Sequence, residues 1–153
     1  MEGPEEMAGM GDIKQFVIVT GMSGAGKTTV VSRIIDTLTA QGPVTVALTA
    51  PTGKAAARLE TAVRDRLQHP ERTALTAGTL HRVIGVVPGR AERTHDALNP
   101  LPLDVVIVDE TSMVSITLMS WLLEAVADTT RLILIGDPNP VSYTHLTLPT
   151  KRI

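Results

Sequence analysis

A chain of 153 residues, 43% of them apolar, is long enough to bury one core, so a single domain is the expectation. A net charge of −2 excludes a global basic field for nucleic acid and leaves room only for a local strip. The sequence has no cysteine, which excludes disulfides and thiolate metal sites and fits a reducing, cytoplasmic compartment; no apolar run approaches the roughly 20 residues that span a bilayer, so no membrane partner is expected.

The first residues, Met1-Glu2-Gly3-Pro4-Glu5-Glu6, are acidic and lack the apolar stretch of a secretory signal. Residues 1–12 read as a frayed tail ahead of a domain over 13–140. With Phe16, Trp121 and Tyr143 the only aromatics, the core must be aliphatic. Phe16-Val17-Ile18-Val19-Thr20 reads as a buried strand. It runs into Gly21-Met22-Ser23-Gly24-Ala25-Gly26-Lys27-Thr28, which fits G-x-x-x-x-G-K-[ST], the phosphate-binding loop of nucleoside triphosphatases. Glycines let such a loop curl until successive N–H groups point at phosphate oxygens. Lys27 is expected on the β/γ-phosphates, the Thr28 hydroxyl on Mg²⁺, and Thr29 in the same first turn. Val30, Val31, Ile34, Ile35 and Leu38 then recur at helical spacing, and that helix adds its positive end to the phosphate site.

Gln41-Gly42-Pro43 closes the helix, and Val44-Thr45-Val46-Ala47-Leu48-Thr49 is a second strand. Pro51 and Gly53 force a loop, and a helix then runs toward Leu67 and stops before His69-Pro70. A short segment from Thr79 to Gly85 precedes a loop over 86–102 that is rich in Pro, Gly, Asn and charge. Val105-Val106-Ile107-Val108 is a third strand, with Asp109-Glu110 at its end. Ser112 or Ser115 caps a helix whose apolar face is Met119, Leu122, Leu123 and Val126. Leu132-Ile133-Leu134-Ile135 is a fourth strand, ending in Gly136-Asp137-Pro138-Asn139.

Strands alternating with helices imply an α/β fold, a parallel sheet covered on both faces. Chemistry in such sheets gathers beyond the carboxyl ends of the strands, where the 21–28 loop, Thr52 to Lys54, Asp109-Glu110 and Asp137 all fall. Asp109 is expected to hold Mg²⁺ and Glu110 to deprotonate an attacking water. Alone, Asp109-Glu110 is equally a solvated acidic turn. Paired with the phosphate loop it completes what ATP hydrolysis needs, although a small-molecule kinase would share the loop.

Beyond these readings, the run from about Thr28 to Asn139 resembles the first motor domain of superfamily 1 DNA helicases, closest to the RecD type, the alpha subunit of exodeoxyribonuclease V. Ala50-Pro51-Thr52-Gly53-Lys54-Ala55-Ala56-Ala57-Arg58-Leu59 resembles that family's motif Ia, and Thr79-Leu80-His81-Arg82 its Ib-type motif. Asn99-Pro100-Leu101-Pro102 and the segment from Val105 to Val114 resemble motif II, and Gly136-Asp137-Pro138-Asn139 the start of motif III. The resemblance implies a truncated RecA-like P-loop domain that hydrolyses ATP with Mg²⁺ in recombination and repair. It implies contact with single-stranded DNA through Thr52, Gly53, Lys54, Thr79 and His81, Asp137 near the nucleotide, and other subunits of an exonuclease/helicase complex as partners. Arg58 and Arg64 read as a polar helix face, and His69, His95 and His145 have no metal-ligand spacing.

The sequence departs from that family in several places. Met22-Ser23 stands where RecD loops have Gly-Pro, and residues 15–28 instead resemble the P-loop of RapZ-type RNase adaptor proteins. A hybrid reading frame or a nucleotide-binding, RNA-binding adaptor is the alternative this raises. Pro140 stands where motif III has a γ-phosphate-sensing Gln, and the second motor domain does not follow, so the expectation is half a motor, inactive as a helicase by itself.

Residues 141–150, Val-Ser-Tyr-Thr-His-Leu-Thr-Leu-Pro-Thr, resemble a translated transposon-type sequencing adaptor, and 141–153 is expected to be non-native. A divergent β-rich tail would share the composition. Amplifying the locus from source DNA across the Asn139 codon should reveal a Gln codon and further helicase sequence. Recovering the codons for residues 141–150 there would refute the adaptor reading.

Overall fold

The computed structural model describes residues 15–19, 25–90 and 92–136. Five strands form one sheet in the order β1-β5-β4-β2-β3, every neighbouring pair parallel. They are β1 (Gln15–Val19), β2 (Val44–Ala50), β3 (Thr73–Thr79), β4 (Val105–Val108) and β5 (Arg131–Ile135). The helices are α1 (Ala25–Thr39), α2 (Gly53–Arg64), α3 (Leu80–Ile84) and α4 (Ile116–Ala125), each following a strand. Because all strands run the same way, their carboxyl ends share one edge, and every connection must cross a face of the sheet to return. The N-terminal residues 1–12 and the tail 141–153 lie outside the described residues.

The two faces are sorted residue by residue along the inner strands. On β4, Val105 and Ile107 join Val31 and Ile35 of α1 and Val63 of α2, while Val106 and Val108 join Leu80 and Ile84 of α3 and Leu118 and Leu122 of α4. On β5, Ile133 and Ile135 face the first group, and Leu132 and Leu134 the second. An unbroken apolar tetrad is therefore what a strand covered on both faces requires, since its side chains alternate between two buried layers. Burying each such aliphatic side chain contributes roughly 1.5–3 kcal/mol.

Local signals set the helix bounds. The Thr52 hydroxyl accepts the Ala55 N–H at 3.1 Å and opens α2. The Thr79 hydroxyl accepts the Arg82 N–H at 3.3 Å and opens α3. Of the two candidate caps for α4 it is Ser115 that serves, accepting the Leu118 N–H at 3.1 Å, while Ser112 lies in a 3₁₀ turn over Thr111–Met113. Gly85 ends α3 at φ 84°, where a Cβ would collide with Thr94. The loop over 86–102 is fastened to α4 by Arg93, whose guanidinium lies 4.7 Å over the Trp121 ring and 2.7 Å from Glu124.

The sequence reading assigned four strands, and the structure has a fifth. β3, Thr-Ala-Leu-Thr-Ala-Gly-Thr, has one large apolar side chain and a glycine, so it lacks the apolar run that marks its neighbours. It is an edge strand among the described residues, held by seven residues of register against β2 from Val44↔Thr73 to Ala50↔Thr79. Backbone pairing rather than side-chain burial specifies it, with only Thr73 and Gly78 fully buried along its length.

Candidate active site

β5 lies between β1 and β4. The start of α1 and the acidic turn after β4 both lie near the end of β5, a strand distant in sequence from both, with Lys27, Thr28, Asp109 and Ile135 lining one cavity. Gly26, Lys27, Thr28 and Thr29 occupy the opening of α1; Ala25 is its first residue. Gly21, Met22, Ser23, Gly24 and Asp137 lie outside the described residues.

The Lys27 Nζ stands 3.6 Å from an Asp109 carboxylate oxygen and 4.0 Å from one of Glu110. Lys27 and Asp109 are largely shielded, whereas the Glu110 side chain is 44% exposed, open to water. Lys27, Thr28 and Asp109 line one cavity of about 460 Å³, together with Ile135 at the end of β5, Ala55, Arg58, Leu59 and Ala62 of α2, and Arg66 just past its end. Thr28 is nearly buried, and its carbonyl accepts the Ser32 hydroxyl at 2.7 Å.

The acidic turn is held by its backbone. The Asp109 N–H donates to the Thr49 carbonyl at 2.8 Å, which extends the β2–β4 pairing one residue past β4. The Glu110 N–H donates to an Asp109 carboxylate oxygen at 2.9 Å. Glu110 is left-handed, at φ 56° and ψ 52°, the one non-glycine residue with positive φ among the described residues. That conformation costs roughly 1–2 kcal/mol in an L-residue and turns the chain sharply out of the strand. Thr111 then folds inward, 3% exposed, and its hydroxyl donates to the Ile135 carbonyl at 2.8 Å. The acidic turn is in this way tied to the end of the neighbouring strand.

A hydroxyl and a carboxylate, Thr28 and Asp109, are a donor set that suits Mg²⁺. That ion takes one or two protein oxygens, keeps several waters and completes its shell with phosphate oxygens. Among the described residues there is no group of three or more His, Cys, Asp and Glu that could cage a metal.

Thr52, Gly53 and Lys54 sit exposed at the start of α2, directly after β2. Thr79 and His81 open α3 after β3 and line a second cavity of about 220 Å³ with Pro51, Met113 and Asp109. Asp109 thus borders both cavities. The predicted DNA residues and the described ones among the predicted nucleotide residues share the carboxyl edge of the sheet. Arg58, read from sequence as part of a polar helix face, is exposed on α2 and also lines the first cavity, as does Arg66. The positions 55, 58, 59, 62 and 66 fall on one helical face, which is the signal that could have singled them out.

The AAA domain family model matches residues 8–145. The chain is 49% identical over 140 residues to the RecBCD enzyme subunit RecD of Mycolicibacterium smegmatis, an alignment covering 83% of this chain and 25% of that protein. It is 40% identical over 135 residues to the RecBCD enzyme subunit RecD of Haemophilus influenzae, covering 80% and 21%. It is 38% identical over 135 residues to the ATP-dependent RecD2 DNA helicase of Deinococcus radiodurans, covering 88% and 17%. The chain thus spans a quarter or less of these relatives' length.

The Thr111 tie is open to a direct test. Thr111→Val keeps the shape and leaves the Ile135 carbonyl without its donor, so unfolding free energy should fall by about 1–3 kcal/mol. Urea denaturation followed by Trp121, the single tryptophan, measures it. A loss under about 0.5 kcal/mol, within the range of ordinary surface substitutions, would show that the bond holds nothing in place.

Proposed function

The chain belongs to the AAA-domain family, with RecD-like sequence over most of its length, and from that premise we propose that it binds Mg-ATP and hydrolyses it to drive movement along single-stranded DNA. The observation that carries this is the convergence of Lys27, Thr28 and Asp109 on one cavity, with the Glu110 carboxylate beside Lys27. The likeness to RecD proteins runs through most of the chain and does not favour the RNA-binding adaptor or small-kinase alternatives.

In this reading the loop residues Gly21, Met22, Ser23, Gly24, Ala25 and Gly26 present backbone N–H groups to the phosphates, with Thr29 continuing the same turn. Lys27 places a compact ammonium against the β/γ-phosphates. Thr28 and Asp109 would hold Mg²⁺, which would supply positive charge beside the phosphates. Glu110 accepts a proton from the attacking water, a role its exposure permits, since water reaches it freely. Asp137, next in sequence after Gly136, is assigned to the same nucleotide site.

The DNA strip is Thr52, Gly53, Lys54, Thr79 and His81. Thr52 and Thr79 use their oxygens to accept helix-capping N–H groups. Each hydroxyl keeps its proton for a phosphate oxygen, so capping and DNA contact are compatible. Gly53 exposes its backbone at the turn, and a Cβ there would meet nothing within 4 Å. Lys54 adds charge and His81 a ring donor. Other subunits of a helicase–nuclease complex are the partners this reading implies.

Lys27→Ala should abolish binding of a fluorescent ATP analogue, and an unchanged titration would sink the nucleotide reading. Glu110→Gln should leave that affinity within about twofold, while phosphate release in the full-length helicase carrying this domain falls by roughly 10²–10⁴. Equal DNA-stimulated turnover with and without the carboxylate would remove Glu110 from the mechanism.

A further inference from the structure

Arg58 of helix α2 and Arg66, just past its end, line the same cavity as Lys27, Thr28 and Asp109. The lining residues on this side, Ala55, Arg58, Leu59, Ala62 and Arg66, follow a helical stripe of three- and four-residue steps. Ala55 and Ala62 end at Cβ and leave the space open. Arg66 lies just past the end of α2 and continues its line, its N–H donating to the Val63 carbonyl at 3.0 Å. Among the described residues neither Arg58 nor Arg66 has an acidic partner. Arg64, outside the cavity lining, is held by Glu60 at 2.7 Å. Among the described residues the cavity is lined by three cationic residues, Lys27, Arg58 and Arg66, and by one carboxylate residue, Asp109, with the Glu110 carboxylate 4.0 Å from Lys27. That imbalance suits a polyanion better than the base or sugar of a nucleotide. A planar guanidinium, always charged and able to bond two oxygens at once, is also well matched to phosphate.

We propose that Arg58 and Arg66 contact the terminal phosphate of ATP, so that α2 distinguishes ATP from ADP. The inference rests on the nucleotide reading above and deepens it. Thr28 and Asp109, which would hold Mg²⁺ beside the triphosphate, border the same cavity. The guanidinium groups thus share the metal-side end of the triphosphate. The same helix begins at Thr52-Gly53-Lys54, the proposed DNA contact. One rigid element would then touch the phosphate that is lost on hydrolysis and the strand that is to be moved.

The test uses the full chain with fluorescent ATP and ADP analogues, comparing Arg58→Gln, Arg66→Gln, the double variant and Arg58→Lys. Losing a charge-assisted contact should weaken ATP binding about tenfold per site, while ADP binding changes less than about twofold. Arg58→Lys should recover part of the loss. Both side chains are exposed, so folding is expected to survive, and circular dichroism with Trp121 emission verifies it for each variant. An unchanged ratio of ATP to ADP affinity in the double variant would overturn the proposal, whether both affinities fall together or neither moves. Lys27→Ala run alongside separates the two levels. If it leaves nucleotide binding intact, the nucleotide site itself is wrong; if it abolishes binding while the arginine variants keep the ratio, this inference alone fails.

Discussion

Burial of β4 on both faces is the constraint on which the rest of the site depends. Val105, Val106, Ile107 and Val108 are each at most 1% exposed, and they lock the strand between two helical layers. A strand so placed cannot slip by one residue without exchanging its two layers. The position of Asp109 is thereby set by the core rather than by the turn that follows. The Asp109 N–H, still paired with the Thr49 carbonyl, carries the ladder one residue into the site. Only after that does the chain break direction, at Glu110, so the proposed metal ligand belongs to the scaffold and the proposed base to the loop.

Sequence and structure agree most closely where burial forces a strong apolar pattern. The strands at Val44, Val105 and Leu132, the helix after Lys27 and the Ser115-capped helix all carry that pattern. β3 does not, because an edge strand rich in Thr and Ala is stabilised by backbone pairing with β2, and pairing leaves no periodic trace. Strand order was not legible either. Nothing in the residues near Leu132 says that β5 inserts between β1 and β4, yet that insertion brings Lys27 and Asp109 to the same cavity with Ile135. The phosphate motif and the acidic pair could be named from spacing alone. The stripe on α2 needed the cavity, since an arginine on a helix looks the same in sequence whether it faces water or a ligand.

Asp109 borders both cavities, the one with Thr28 and the one with Thr79 and His81. A displacement of this single carboxylate on metal binding would be felt on the side of α3 as well as that of α1. Thr111 extends the linkage sideways, because its hydroxyl bonds β5 and its backbone follows the acidic turn. Of the two links only Thr111 is buried, while the Asp109 side chain keeps 18% of its surface exposed.

Glu110 sits in a backbone region that glycine and asparagine occupy at little cost. Neither of those residues carries a carboxylate, and aspartate carries one on an arm a methylene shorter. No replacement at this position relaxes the main chain and also keeps an acid of the same reach. Selection for thermal robustness and selection for turnover would therefore pull this codon in opposite directions. A stabilised version of the domain obtained by screening on folding alone should be inspected first at residue 110.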